Sequence, residues 1–538
     1  MYDFMSRLLL FIVAVILVIF NFFRGLPGMF AKPEPQDPST TAAATTAIET
    51  TAENITETSA TLPSTSPSTL PSTAPSTEPT TKTPVTYHDK TTTEGGTLVR
   101  MINERGMQML GGKGVDVFNG TDADAMNVYA CGQTTSNDGD MEGNTSTSSA
   151  INGSFIVKYD YNLNKKWNKI FCESDGAIKI EDVAILKDKN IIAVGYSNAA
   201  AYASDDSFKG TFEGIIIKLS PDGGVIWKKS FGGSGTDLFN CVCAVGSGFA
   251  VGGSTDSRDG SFTGLPEYGT SSAIIMNFDA DGDILWNRYL NGKKGGSIEG
   301  IAADADKNIF VSCLTGSVDG EFSAFDGLFG GYLDTVVLKY NYEGTYQWNY
   351  VIASSGRDEF AAIAADGEGG CLVGGNYEKI GTVMPDGTFA DIHNCGKTDA
   401  LVFRINSDGT QRWNKTIAGL EDDFIYDIAK AKGGYVAVGA TRSSDRDFSG
   451  CGNFGATDGF AAFFTPGGKT VDILTQGGSR EDSASCVSVS DGIVAVFGKS
   501  VSNDGYFKGC NEHLSDAAIE IFGNSFTGYV SKFEVRSY

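Results

Sequence analysis

His88, His393 and His513 are the only histidines in the chain, and ten cysteines and sixty-six acidic residues make up the rest of its reactive side chains. Three histidines so far apart do not suit a His-based acid–base centre or a zinc site with ordinary ligand spacing. Cys and His come close twice, in His393-Asn394-Cys395 and in Cys510-Asn511-Glu512-His513. These runs fall in loops of two units that are not neighbours, so they are not read as one zinc site, and there is no CxxC pair. Phe278-Asp-Ala-Asp-Gly-Asp283 has the alternating carboxylates of half a calcium loop. It lacks the downstream Glu and lies at a hairpin tip, so it is read as a plain turn. No cofactor is expected, and calcium is the one ion the residues suggest. Paired carboxylates could hydrolyse a glycoside, but no pair stands apart from aspartates that recur along the chain, and no Ser/His/Asp set is visible. No catalytic residue and no metal ligand is assigned.

The formal charge of -25 argues against a nucleic-acid partner, because an acidic surface repels phosphates. Cys241, Cys313, Cys371 and Cys486 sit in apolar runs where a thiol behaves as a small buried hydrophobe. Cys395, Cys451 and Cys510 fall in loops, and their pairing is not readable.

The elements that hold these residues repeat. All five tryptophans, Trp167, Trp227, Trp286, Trp348 and Trp413, are spaced by 60, 59, 62 and 65 residues. A period of this size marks a repeat architecture. Each unit divides into four short apolar runs; in one they are 237–245 (a), 249–255 (b), 273–282 (c) and 284–290 (d). A tight Asp-Gly turn joins c to d, which is a hairpin signal. Strand c recurs seven times. An Asp opens strand a at Asp116, Asp237, Asp358, Asp423 and Asp482, with Ala177 and Gly296 in the other two units. Asp-Gly-x-Phe or a variant follows strand b at Asp138, Asp205, Asp259, Asp319, Asp386, Asp445 and Asp504. The expected fold is all-β: a seven-bladed β-propeller of four-stranded antiparallel blades, preceded by a transmembrane helix and a disordered linker. The N-terminal segment 97–110 is expected to close the ring against a C-terminal strand at 528–536, removing a free sheet edge.

These repeats resemble the bacterial seven-bladed beta-propeller repeat family. The matching residues are Lys218, Asp222, Gly223, Trp227, Gly232-Gly233, Asp237, Gly253, Ser257, Asp259 and Gly264. The resemblance covers about 97–538. It implies a secreted or surface-displayed protein and carries no catalytic residue set. Asp472, in the Trp position of its unit, departs from the pattern.

Leu8–Phe23 is a nearly unbroken apolar run, and 8–26 reaches the low end of a membrane span. Met29 at -3 suits signal cleavage poorly, so an uncleaved anchor is expected, with 1–7 as a short cytoplasmic tail. Residues 32–93 are rich in Thr, Ser and Pro and cannot bury a core, so they read as a disordered stalk spanning about 45 Å as a coil. Asn54 and Asn119 open glycosylation sequons.

The expected function is a membrane-tethered, extracellular binding or adhesion module, not an enzyme. Its ligand would be a glycan or a protein, held by the face that carries the b–c loops, which vary in length and content. The candidate residues are Asp259, Phe262, Tyr268, Asp319, Phe389, His393, Asp504 and His513. The alternatives are a polysaccharide hydrolase or a structural ectodomain. The tryptophans are assigned to packing between blades, and the Asp-Gly-x-Phe loops are at least partly structural turns.

Overall fold

The structure is a computed structural model. It describes residues 103–523 apart from 146–152, 203–209, 267–268, 326–332, 355, 379–395, 503 and 508–515. The expected tail (1–7), anchor (8–26) and stalk (32–93) lie outside the described residues, as do 97–102 and 528–536. No helix among the described residues is long and apolar enough to cross a membrane.

The described strands form seven four-stranded antiparallel sheets, and the fold is an all-β propeller whose blades are such sheets. In sheet 3 the strands are Asp237–Val245 (a), Gly248–Thr255 (b), Ser272–Phe278 (c) and Ile284–Asn291 (d). Numbered in chain order, the sheets begin at Asp116, Ile178, Asp237, Gly296, Asp358, Asp423 and Asp482. Strand a of each sheet packs against strand a of the next, and that of sheet 7 against that of sheet 1. The free inner edges therefore surround an axis.

Two expectations need correcting. Residues 103–110 do supply the outermost strand of sheet 7, but their partner among the described residues is Asp516–Gly523, which takes the strand-c place expected of 528–536. The segment 516–523 wins because it also pairs with strand b, Ile493–Ser500, in the register used by strand c elsewhere. In sheet 2 the residue at the strand-a Asp position is Ile178, not Ala177: Ile178 faces Ser197 as Asp237 faces Thr255.

A bulge in strand a recurs at one position in every sheet, for example between Phe239 and Cys241. It turns a strand-a carbonyl towards strand b. A Cβ on Gly253 would lie 1.9 Å from the Leu238 oxygen, and one on Gly439 would lie 1.8 Å from that of Phe424. The Gly that strand b carries at this position in six of the seven sheets, with Cys313 in sheet 4, thus answers a steric demand of its neighbour.

One sheet is a single layer, so its apolar faces must be covered by the sheets on either side. The cores accordingly lie between sheets. Cys241, Ala250 and Ile275 of sheet 3 pack with Ile298, Val311 and Cys313 of sheet 4. The closing seam is packed in the same way: Phe118 of sheet 1 meets Phe497 of sheet 7 edge-on, with centroids 4.9 Å apart. Cys241, Cys313, Cys371 and Cys486 are buried in these layers, as expected.

The tryptophans stitch the outer wall. Each lies on strand d and stacks on the glycine of the next sheet's c–d turn. A Cβ added to Gly223, Gly282, Gly344, Gly409 or Gly468 would come within 2.6–3.2 Å of Trp167, Trp227, Trp286, Trp348 or Trp413. Those glycines also have φ between +75° and +86°, so conformation and clearance both require Gly. Indole N–H groups donate to the same turns: Trp167 to Pro221 O (3.1 Å), Trp286 to Tyr342 O (2.8 Å), Trp348 to Ser407 O (2.8 Å) and Trp413 to Pro466 O (3.0 Å).

The exceptions follow from the closure. Sheet 7 takes strand c from one end of the chain and strand d from the other, so no c–d hairpin faces sheet 6, where Asp472 replaces Trp. By register Gly106 holds the Trp position of sheet 7. Facing it, the turn of sheet 1 has Leu163 (φ 62°) where the others have glycine. A side chain is accommodated there because no indole covers the turn.

Replacing Trp286 by Ala is expected to cost about 2–3 kcal/mol, since the indole is only half buried. Gly344→Ala is expected to be at least as damaging, because a methyl would meet the indole at 2.6 Å. Urea unfolding measures both. Asp472→Trp should give no comparable gain.

Candidate functional site

The end of the ring that carries the d–a and b–c connections is built on a repeated hydrogen-bond clip. In sheet 3, Asp237 is fully buried. Its Oδ2 accepts from Gly233 N–H (2.9 Å) and from Ser257 Oγ (2.8 Å), and its Oδ1 accepts from Thr255 Oγ1. The same arrangement joins Gly419, Asp423, Thr441 and Ser443, and again Gly478, Asp482, Ser500 and Ser502. Where the Asp is missing, in sheet 4, Thr315 and Ser317 donate to the backbone oxygen of Gly295 instead (2.7 and 3.1 Å).

The Asp-Gly-x-Phe segments form the floor of the b–c loops. Asp259 precedes a 3-10 turn, Gly260–Phe262. Its Oδ1 accepts from Ser234 N–H in the d–a loop at 2.6 Å. Asp319 accepts likewise from Lys293 N–H (2.8 Å) and Asp504 from Ser479 N–H (2.7 Å). Asp259, Asp319 and Asp504 are therefore engaged in holding two loops together, and the two loop sets share one end as expected.

Phe262 is a correction. It is 1% exposed and lies in the core with Phe239, Phe249 and Phe278, so it cannot touch a ligand. It fills the space under its own loop, as Phe448 and Phe507 do in theirs. Tyr268, Phe389, His393 and His513 lie outside the described residues, as do Cys395 and Cys510. Cys451 Sγ lies 3.5 Å from Ile473 O. No group of three or more His, Cys, Asp or Glu among the described residues is placed to hold a metal ion.

A second set of residues at the same end went unnoticed in the sequence. The bulge residue of strand a is half-buried beside the axis, and its identity changes from sheet to sheet: Asn119, Glu181, Asn240, Glu299, Ala361, Tyr426 and Ser485. The residue just before it is a regular core position, Phe118, Ile180, Phe239, Ile298, Phe360, Ile425 and Ala484, all buried. Aligning the seven copies of strand a column by column exposes this contrast, and that was the available signal.

Several of these side chains span the seam to the next sheet. Asn119 Nδ2 donates to Ile180 O (2.9 Å), and Asn240 Nδ2 donates to Ile298 O (3.0 Å). Asn119 therefore sits bonded in the wall of the axis, which disfavours its use as a glycosylation sequon. Lys179 pairs with Glu181 at 2.7 Å, and the rings of Phe424 and Tyr426 lie nearly parallel, with centroids 6.3 Å apart.

Farther along the axis, Asp122, Asp182 and Asp427 accept N–H bonds from the next sheet: Ile185 (2.7 Å), Val242 (3.0 Å) and Val487 (2.7 Å). Burial pushes the carboxyls of Asp122 and Asp427 up to about 6 and about 7, and that of Asp182 well above the usual range.

The site residues give a direct test. Phe262→Ala should destabilise the protein by about 3–5 kcal/mol in urea unfolding, as expected for a core aromatic. At temperatures where the variant is still folded, it should leave binding by the loop face unchanged.

No protein-family model matches the chain. The regulatory protein FlaEY of Caulobacter vibrioides is 24% identical over 252 residues, which is 45% of this chain and 26% of that protein. The chain thus spans about a quarter of the length of the relative it matches. Among solved structures, the WD40 beta propeller domain of Doa1 aligns at 13% identity with a TM-score of 0.40, covering 78% of this chain and 97% of that one. A catalytically inactive virginiamycin B lyase from Staphylococcus aureus aligns at 11% with a TM-score of 0.39 (77% and 98% covered). The phage phi92 endosialidase aligns at 9% with a TM-score of 0.38 (78% and 69% covered). The propeller assignment rests on the strand order and register described above.

Proposed function

We propose that the seven sheets are the blades of one closed seven-bladed ring, and that this ring is a non-enzymatic binding module displayed outside the cell. The apolar run 8–26 would anchor it and the stalk 32–93 would hold it away from the membrane. Its ligand is a glycan or a protein surface, taken at the end where the d–a and b–c loops meet the axial opening. The observation that carries this reading is where the irregularity falls. Core positions, turns and seam contacts repeat from sheet to sheet, while the strand-a bulge residues and the b–c loops at one end do not. A repeat that varies only at one surface is the usual form of a binding scaffold.

The test is a screen of the purified chain against an array of plant and bacterial glycans and cell-wall fractions. Glu181→Ala, Glu299→Ala and Tyr426→Ala should each weaken any hit by roughly tenfold, the effect of losing one good polar or aromatic contact, without lowering the melting temperature. A hit that tolerates all three substitutions argues against the axial opening. No hit in any fraction removes the glycan half of the proposal, and released sugar product would replace it with a hydrolase.

A further inference from the structure

Where strand c of one sheet approaches strand a of the next, acids recur in pairs. Strand c opens, by register with strand b, at Gly153, Glu213, Ser272, Asp334, Asp399, Asp458 and Asp516 in sheets 1 to 7. The strand a that each of these approaches, in the following sheet, opens at Ile178, Asp237, Gly296, Asp358, Asp423, Asp482 and Asp116. Parallel bridges just before the two positions, Phe212 to Thr236, Leu333 to Arg357 and Thr457 to Glu481, bring them side by side. Five seams thus carry an acid on both strands. The two seams whose strand a has no acid, at Ile178 and Gly296, also have none on strand c. The acids are kept or lost together, so each pair is one device.

Two adjacent buried carboxylates repel one another strongly, so something must lie between them. The surroundings say what. The strand-a member is ringed by donors: Asp482 accepts from Gly478 N–H, Ser500 Oγ and Ser502 Oγ at 2.7–2.8 Å. In sheets 2 and 6 the strand-c member is not. Asp458 uses one oxygen to accept from Phe454 N–H (2.7 Å), while its buried Oδ1 has no hydrogen-bond partner, and neither does Glu213 Oε2. Donor groups around the site disfavour a metal cation, which needs many oxygen ligands. A proton needs only the two carboxyls.

We propose that the seam pair Asp334–Asp358 holds one proton shared between its two carboxyls, and that losing this proton loosens the seam between sheets 4 and 5. Asp334 and Asp358 are both fully buried. There Tyr377 takes the place of the Thr255 donor seen in sheet 3. The other groups facing this seam are Ser354, which bonds Asp358, the Tyr377 hydroxyl, and the ion pair Arg357–Glu359, which is partly exposed. Burial, with the negative charge of Asp334 beside it, pushes the Asp358 carboxyl up to about 8; burial likewise pushes Asp423 and Asp458 up to about 7. A carboxyl raised above its unfolded value of about 4 stabilises the fold when protonated. That contribution is complete below the unfolded value and is lost as pH rises through 7 to 8.

The experiment follows the melting temperature of the full chain from pH 5 to pH 9, with hydrogen exchange resolved on peptides covering 334–340 and 358–365. Wild type should lose at least about 3 °C on going from pH 6 to pH 9, and those peptides should open first. Asp358→Asn supplies a permanent donor in the same shape. It should flatten the decline and be more stable than wild type at pH 9. Asp334→Asn serves as a second variant should the first misfold. A flat wild-type profile, or Asn variants less stable than wild type at pH 9, would overturn the proposal. So would a rise in melting temperature at pH 9 on adding calcium or magnesium that both variants abolish, which would make the pair a cation site.

Discussion

Every sheet of this protein depends on the sheets beside it. A four-stranded sheet with two apolar faces has no core of its own, and no helix among the described residues covers it. Contact between successive sheets is thus the constraint that the rest of the structure answers. It operates at three radii. At the axis, bulge residues such as Asn119 and Asn240 donate across the seam. In the middle, side chains such as Cys241 and Ile298 interleave. At the outer wall, each indole lies on the next turn's glycine, and four of the five donate to the carbonyl beside it. The outermost strands of sheets 1–5 carry eight Lys or Arg and no acid, a pattern that keeps exposed sheet edges from pairing with other chains.

Ring closure explains the departures from the repeat better than relaxed selection of individual units would. Sheet 7 is assembled from both ends of the described chain, so it has no c–d hairpin to be capped and no tryptophan to cap with. Asp472, Gly106 and Leu163 all follow from that one fact. The hydroxyl clip behaves similarly. When the strand-a Asp is absent, as at Gly296, the Thr and Ser that would have bonded it remain and turn to a backbone oxygen. The satisfied backbone is maintained even as its partner changes, because an unpaired buried polar group would cost about 1–3 kcal/mol.

The function-bearing surface is the complement of this regularity. Most seam positions repeat in kind from unit to unit, whereas the axial bulge position and the b–c loops vary, even though some of the varied side chains, such as Asn119 and Asn240, also bond across the seam. Phe262 illustrates how the two are confused. It belongs to a segment that opens a variable loop, yet it faces inward and packs among Phe239, Phe249 and Phe278. Its neighbour Asp259 faces the loop but bonds Ser234 N–H. Membership of a loop does not by itself expose a side chain.

Periodicity alone was enough to reveal the repeat unit, the four strands of each sheet, the hairpin between c and d, the burial of Cys241 and its counterparts, and the use of an N-terminal strand in closure. These are local properties: alternation along a strand, a Gly-containing turn, a Trp every sixty residues or so. What periodicity could not supply were relations between units. Apolar patterning makes strands of both 516–523 and 528–536, and only pairing with Ile493–Ser500 marks 516–523 as the partner of 103–110. Ile178 was displaced by one residue because register is a property of two strands. The axial residues and the acid pairs were invisible for the same reason: Asp334 and Asp358 belong to different units, and their meeting is created only when one sheet is laid against the next.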